Sequence, residues 1–450
     1  MKLSRLLIAA VVLAGLSVAY YYAGKKEPAA DTKPPADAPP KILALSEDNI
    51  TGIEIRHAGG EPTIIRKNDA RRWEITAPQK LAGDQSAISS ITSTASTLAS
   101  ERVVDEHNAD WAPYGLAPGD VEITLSMKDG KTVKLMIGKN TPTGSAVYAR
   151  VDGDPKLYTT SSSNKSIFDK TWKDLRDKRL MTFDSDKISR VELNAKKGAI
   201  EFGRVNQNEW QILKPKPMRA DGLQVEELVR KIKDASMDPS ISDEDAKKAV
   251  TAFASGQPVA TAKVTDASGT QTLEIRKVKD DYYAKSSAVE GVHKVTKDLG
   301  AGVDKSLDDF RNKKLFDFAF NEPSRVEFKD GGSNSVYEKT GEKWMSAGKM
   351  MDSSSVQALI DKIRDLQGSK FVDTGFTTAQ IELTVVSNDG KRTEKVQFSP
   401  VKSGDFIARR EGDTALYQVD AGVIQDLRSA ASGVREAPPP APEKPAGKKK

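Results

Sequence analysis

The 450-residue chain contains no cysteine. That absence excludes a disulfide framework, a thiolate zinc site and a cysteine nucleophile, and with them a lipid-acylated N-terminus. Histidine is scarce: His57, His107 and His293 are the whole supply, and none has a partner at metal-ligand spacing. An excess of one charge is missing too. Lys and Arg number 69 against 64 Asp and Glu, for a net charge of +5. A dedicated nucleic-acid binder would show a concentrated basic face.

What is present begins at the N-terminus. Lys2 and Arg5 precede an uncharged run, Leu6–Ala23, that closes on Tyr20, Tyr21 and Tyr22 and is followed by Lys25 and Lys26. Its length falls within the ~17–25 residues needed to cross a bilayer as a helix, and tyrosines suit the interface. The rival reading is a cleaved signal peptide, with a shorter apolar stretch ending in small residues; here Ala23-Gly24 is the small pair. The expectation is a cytoplasmic stub at 1–5, a membrane anchor at 6–23 and the bulk outside the cytoplasm, since the flanking charges slightly favour an inside N-terminus. A Pro/Ala-rich linker follows at 24–43, clearest in Glu27–Pro40, and reads as an extended spacer. A Pro/Ala/Lys tail at 435–450 reads as disordered.

Between these ends the chain repeats itself. Ile50-Thr-Gly-Ile-Glu-Ile55 is echoed by Ile188-Ser-Arg-Val-Glu-Leu193 and by Pro323-Ser-Arg-Val-Glu-Phe328. A tryptophan follows each, Trp73, Trp210 and Trp344, at offsets of about 137 and 134 residues. An aspartate then opens a helical pattern, Asp84, Asp221 or Asp352, where its carboxylate accepts from free first-turn N–H groups. The helices share an apolar stripe: Val225, Leu228, Val229 and Ile232 in the second copy, Val356, Leu359, Ile360 and Ile363 in the third, and the weaker Ile88, Ile91, Ala95 and Leu98 in the first. That spacing marks one buried face. Strand pairs follow at Val121–Ile137, Val259–Ile275 and Ile381–Phe398, each turning on a Gly-containing dipeptide. Further hairpins lie around Val147–Tyr158, Tyr282–Val295 and Phe406–Val419, and a helix closes each half. Copies one and two end in Asp174-Leu-Arg-Asp-Lys-Arg-Leu180 and Asp309-Phe-Arg-Asn-Lys-Lys-Leu315; the third stops near Leu427-Arg428. The fold class expected is α+β: the N-terminal transmembrane helix, then three tandem repeats of antiparallel hairpins plus helices at 44–182, 183–318 and 319–434.

Candidate chemistry reads as structure at every position. Ser161–Asn164 and Ser353–Ser355 sit at helix starts, where Ser and Asn cap. Gly59-Gly60 and Gly331-Gly332 lie between strands, not in the strand-to-helix loop of a phosphate site. Asp105-Glu106 and Asp243-Glu244-Asp245 lack the alternating ligands of a calcium loop. The basic run Lys170–Arg179 holds Trp172 but is interleaved with Asp174 and Asp177, as in a structural helix at the repeat junction. The recurring tryptophans read as a shared core position before a sugar platform. No catalytic, cofactor-binding or metal-binding residue is assigned, and no cofactor is expected.

Tyr114-Gly-Leu-Ala-Pro118, the hairpin Val121–Gly138 and Gly144-Ser-Ala-Val-Tyr-Ala-Arg150 give the chain a family look. It resembles the bacterial family called domain of unknown function 4340, most clearly from Ile53 to Leu180. The resemblance defines no catalytic residue. Because members often lie beside ABC-type exporter subunits of the gliding-motility kind, it implies an extracytoplasmic accessory to an inner-membrane complex. The expectation is a non-enzymatic, membrane-anchored accessory or scaffold with protein partners and no nucleic acid; the alternative is a module binding cell-wall glycan or polysaccharide.

Overall fold

The computed structural model describes residues 40–206, 209–238, 243–318 and 321–438. The apolar run at 6–23, most of the linker and most of the tail lie outside the described residues. The chain divides into two compact units, 1–178 and 179–450.

The first unit is built on one antiparallel sheet. Strands β1 (Ile50–His57), β2 (Thr63–Lys67), β3 (Trp73–Ala77) and β4 (Leu81–Ala82) form a meander. Helix α1 (Gln85–Thr97) and strand β5 (Arg102–Asp105) follow, and then a second meander, β6 (Val121–Met127), β7 (Thr132–Asn140), β8 (Ala146–Val151) and β9 (Leu157–Ser161). The two meanders join because β6 pairs antiparallel with β1, Ile53 opposite Leu125 and Ile55 opposite Ile123. Strand order is therefore β4-β3-β2-β1-β6-β7-β8-β9-β5. Alternation along β6 buries Val121, Ile123 and Leu125 on one face, the period-two signature of a half-covered sheet. On that face lies α1, capped by Asp84, which accepts from Ser86 N and Ala87 N. Burial of Ile88 and Ile91 contributes about 2 kcal/mol each, against about 1 kcal/mol for the cap. Packing thus holds this helix, and the cap fixes where it starts. Two short helices, α2 (Ser162–Phe168) and α3 (Trp172–Leu175), close the unit and bury Phe168 and Leu175.

The second unit repeats this plan twice. Its first sheet runs β13-β12-β11-β10-β14-β15-β16-β17, with β10 (Arg190–Ala195), β11 (Gly198–Asn206), β12 (Glu209–Lys214), β13 (Met218–Arg219), β14 (Gln257–Asp266), β15 (Gly269–Val278), β16 (Asp281–Ser286) and β17 (Val292–Val295). Helices α4 (Gly222–Lys233), α5 (Asp243–Ser255), α6 (Lys297–Val303) and α7 (Leu307–Phe310) accompany it. The other sheet runs β21-β20-β19-β18-β23-β24-β25-β26-β22. Its strands are β18 (Arg325–Asp330), β19 (Ser333–Thr340), β20 (Lys343–Ser346), β21 (Lys349–Met350), β22 (Lys370–Val372), β23 (Ile381–Ser387), β24 (Arg392–Pro400), β25 (Phe406–Arg410) and β26 (Leu416–Val419); its helices are α8 (Ser353–Arg364) and α9 (Ala421–Ser432). The stripes on α4 and α8 are buried as their spacing demands.

The α+β expectation is corrected by the strand content. Among the described residues the protein is mostly β, 43% strand against 23% helix, in three antiparallel sheets. The central pairs β1·β6, β10·β14 and β18·β23 weld each set of hairpins into one wide sheet, leaving the helices as a partial layer. Among the described residues no helix is long and apolar enough to cross a membrane.

A recurring clasp closes each sheet. In the first unit Asp84 N donates to Leu175 O at 2.7 Å and Asp177 N to Ala82 O at 2.8 Å. In the second sheet Asp221 N donates to Phe310 O at 2.7 Å and Asn312 N to Arg219 O at 3.0 Å. In the third, Asp352 N donates to Arg435 O and Ala437 N to Met350 O, both at 2.9 Å. The first residues expected in a disordered tail thus pair with the third sheet. The far side of the linker is likewise built in: Ile42 N donates to Leu98 O at 2.8 Å, and Ile42 and Leu43 are buried.

Candidate functional site

The residues nominated from sequence do not converge. His57 Nε2 lies 2.8 Å from Asp169 Oδ1, tying the end of β1 to the residue that caps α2. His107 is exposed in a loop, where its backbone N donates to Asp105 Oδ1 at 2.9 Å. His293 Nε2 lies 2.9 Å from Glu290 O. Ser161 caps α2, accepting from Ser163 N, and Ser353–Ser355 form the first turn of α8 behind the cap residue Asp352. Glu106 is paired with Lys156 and Glu244 with Lys248. Gly59 and Gly331 take positive φ in strand turns. Among the described residues no group of three or more His, Asp or Glu is arranged to hold a metal ion.

The tryptophans are core residues: Trp73, Trp210 and Trp344 are 5%, 3% and 5% exposed. Trp210 donates its indole N–H to Glu226 at 2.6 Å, and Glu226 also accepts from Arg204 at 2.7 Å. A sugar platform at these positions has no open aromatic face. The basic run at 170–179 is helical only over Trp172–Leu175, where Thr171 and Asp174 form a capping box; beyond it the chain straightens into the clasp, because Asp177 N is used by Ala82 O and not by a helical carbonyl.

The motif that gives the first copy its family look is gathered into one place. On the face of β7 opposite the main core, Leu116, Met136 and Leu157 form a small buried cluster with Trp111, Tyr114 and Tyr148 against it. The Tyr114 and Tyr148 rings meet edge to face at 4.8 Å, and Arg150 stacks over Trp111 at 4.6 Å. Gly138 lets this loop approach: a Cβ there would lie 2.2 Å from Tyr114 O. Arg276 over Phe253 and Arg409 over Phe376 repeat the cation–aromatic pairing in the other two sheets. Each such pair contributes about 0.5–1 kcal/mol at an exposed site, and the motif reads as a brace for the sheet face opposite the main core, a face that α5 covers in the second sheet through Phe253.

An ion cluster in the second unit lies where its two sheets meet. Asp317 accepts from Arg219 at 2.6 Å and from Arg410 at 2.7 Å. Arg219 also donates to Lys314 O at 2.9 Å and to the Tyr417 hydroxyl at 3.3 Å. Arg410 reaches on to Glu394 at 2.6 Å, and Asp317 N donates to the same carboxylate at 2.8 Å. Tyr417 donates to Asp413 at 2.6 Å. Burial pushes the Asp317 carboxyl up, but Arg219 and Arg410 outweigh it and hold it below the usual carboxylate range. Burial likewise drives the Tyr417 phenol upward, with Asp413 adding to it. A cleft of about 950 Å³ lies beside this cluster, lined by Arg204, Leu223, Glu226, Lys313 and Lys314 among others. Arg219, Asp317, Glu394 and Arg410 are titratable groups already matched to one another, an arrangement suited to fastening two sheets.

A model of the family described as Domain of unknown function (DUF4340) matches residues 73–216 and again 210–383. The chain belongs to the DUF4340 family. The two matches begin at Trp73 and Trp210, equivalent points of successive copies, so the family unit recurs in step with the sheets. No curated protein matches the chain.

The ion cluster is what the sequence reading missed. Its signal was available in the alignment of the copies. Leu180-Met-Thr-Phe183 corresponds to Leu315-Phe-Asp-Phe318, so Asp317 stands where Thr182 stands, and Glu394 where Gln271 stands.

Proposed function

We propose that this DUF4340 protein is a non-enzymatic accessory or scaffold, held at a bacterial inner membrane by the apolar run Leu6–Ala23, with its sheets on the extracytoplasmic side and protein partners in a transport or envelope complex. The observation that carries the reading is the use made of charge. In the second unit a cluster of ionisable groups, Arg219, Asp317, Glu394 and Arg410, is matched internally and joins one sheet to the next. A chain that repeats one β unit and uses its charges for joints is built to extend a surface. The membrane placement rests on the apolar run and the slight charge bias around it. The transporter context, of the ABC-type gliding kind, rests on the family resemblance.

The test is photo-crosslinking in intact membranes from position 223, where Leu223 is 82% exposed beside the cleft. The reading expects crosslinks to subunits of an inner-membrane complex. Recovery of uncrosslinked protein alone, or of soluble cytoplasmic proteins, would count against it. Protease treatment of spheroplasts should degrade a C-terminal tag; a protected tag reverses the topology.

A further inference from the structure

The three clasps occupy equivalent sites, but they are not equally anchored. In the first two sheets the clasp is preceded by a capping box and an apolar plug. Thr171, Asp174 and Leu175 fill these roles in one, and Ser306, Asp309 and Phe310 in the other. Leu175 is 1% exposed and Phe310 is 2% exposed. The plug's carbonyl accepts from the backbone N–H of the cap residue of the main helix, and an arginine follows it, Arg176 or Arg311. In the third sheet the residue giving its carbonyl to Asp352 is Arg435, whose side chain is 76% exposed. Its clasp is held by two backbone hydrogen bonds, by Arg435 N to Ser355 Oγ at 3.3 Å, by Arg435 Nε to Asp352 at 3.2 Å and by an exposed Lys349–Glu436 pair. Exposed ion pairs contribute about 0–1 kcal/mol, whereas a fully buried Leu or Phe contributes about 1.5–3 kcal/mol. The third clasp is therefore the one most easily released.

We propose that residues 434–437 are a displaceable strap, and that the site beneath them docks a segment of a partner protein of the form Ser/Thr-x-x-Asp-Leu/Phe-Arg. The two sister sites define that occupant. The capping box starts a short helical turn, the Leu or Phe plugs the third core, and the backbone after it pairs with Met350–Asp352 as a short added strand. Val434, partly buried against the third core, leaves with the strap and vacates apolar space. This goes beyond the accessory reading and does not require a membrane.

The experiment uses the full chain and a fluorescein-labelled peptide copying residues 304–313, Asp-Lys-Ser-Leu-Asp-Asp-Phe-Arg-Asn-Lys. Ala437→Pro removes the N–H that donates to Met350 O and opens the strap without touching the site. Anisotropy should show the variant binding the peptide at least about tenfold tighter than the unaltered chain. A peptide carrying Phe310→Ala should lose that gain. Equal binding by both chains, or by both peptides, overturns the proposal, as does concentration-dependent self-association of the variant without peptide, which would make a second copy the occupant. Should Ala437→Pro fail to fold, hydrogen exchange on the unaltered chain decides. The Asp352 amide should exchange at least about tenfold faster than the Asp221 amide, and equal protection means that the strap is not releasable.

Discussion

The second and third sheets are copies of one plan, yet they treat the same position differently. In the second, Thr182 N donates to Gln271 Oε1 at 2.9 Å, and Gln271 returns a bond to the Thr182 hydroxyl at 3.1 Å. In the third, Asp317 N donates to Glu394 at 2.8 Å, and three arginines are drawn in, Arg219, Arg392 and Arg410. The neutral pair closes on itself. The charged pair has lone pairs left over, and one of the groups that answers them, Arg219, comes from the neighbouring sheet. In the first unit the position equivalent to Arg219 is Ala82, which carries no charge. The difference teaches that one backbone site, a leading segment held against the second meander, becomes a joint when its polar pair is ionised.

Breaking the charged version should have the largest effect. Asp317→Ala leaves Arg219 and Arg410 half-buried without their shared carboxylate, and removing one member of a buried pair costs about 3 kcal/mol. Thr182→Ala removes a neutral bond and should cost about 1 kcal/mol. Denaturant unfolding of the full chain, resolved by hydrogen exchange in α4 and α8, compares the two.

Acid should weaken the comparison from the charged side only. The Asp317 carboxyl is held below its ordinary value, burial being outweighed by Arg219 and Arg410. Its stabilisation is present above the unfolded value of ~3.9 and is lost as pH falls through the lower folded value. The third-sheet joint should therefore loosen below about pH 4, while Asp317→Asn flattens that part of the profile. Thr182 and Gln271 do not titrate, so the second sheet's equivalent contact should not respond.

The smallest effects belong to the helix caps. Asp221 accepts from Leu223 N and Gln224 N, Asp352 from Ser354 N. Replacing either by Ala should cost about 1 kcal/mol, with fraying confined in hydrogen exchange to the first turn of α4 for Asp221 and to the first turn of α8 and the Arg435 strap for Asp352. A loss above about 3 kcal/mol at either cap would mean that capping, not packing, holds these helices.

Much of each sheet was legible because it depends on local pattern. The stripe Val225, Leu228, Val229 and Ile232, the three cap aspartates and the hairpin turns all declare themselves within a dozen residues. The balance of strand over helix did not. Edge strands such as Leu81–Ala82, Met218–Arg219 and Lys349–Met350 are two residues long, too short for any period. The pairing of β1 with β6 links residues far apart in sequence and makes one wide sheet of two apparent halves. The basic run at 170–179 misled for a related reason. Its charges suit a helix, but the carbonyl of Ala82 competes for the Asp177 amide and wins. The cluster at Asp317 needs partners on β13, β24 and β25, so only a residue-by-residue comparison of copies would have pointed to it.

The central claim is that Arg219 and Asp317 couple the second sheet to the third. A double-mutant cycle of Arg219→Ala and Asp317→Ala, read from unfolding of the second unit in the full chain, tests it most directly. The account predicts a coupling energy of about 1.5–3 kcal/mol, with both sheets losing protection together in either single variant. Additive losses, with a coupling energy below about 0.5 kcal/mol, would contradict it.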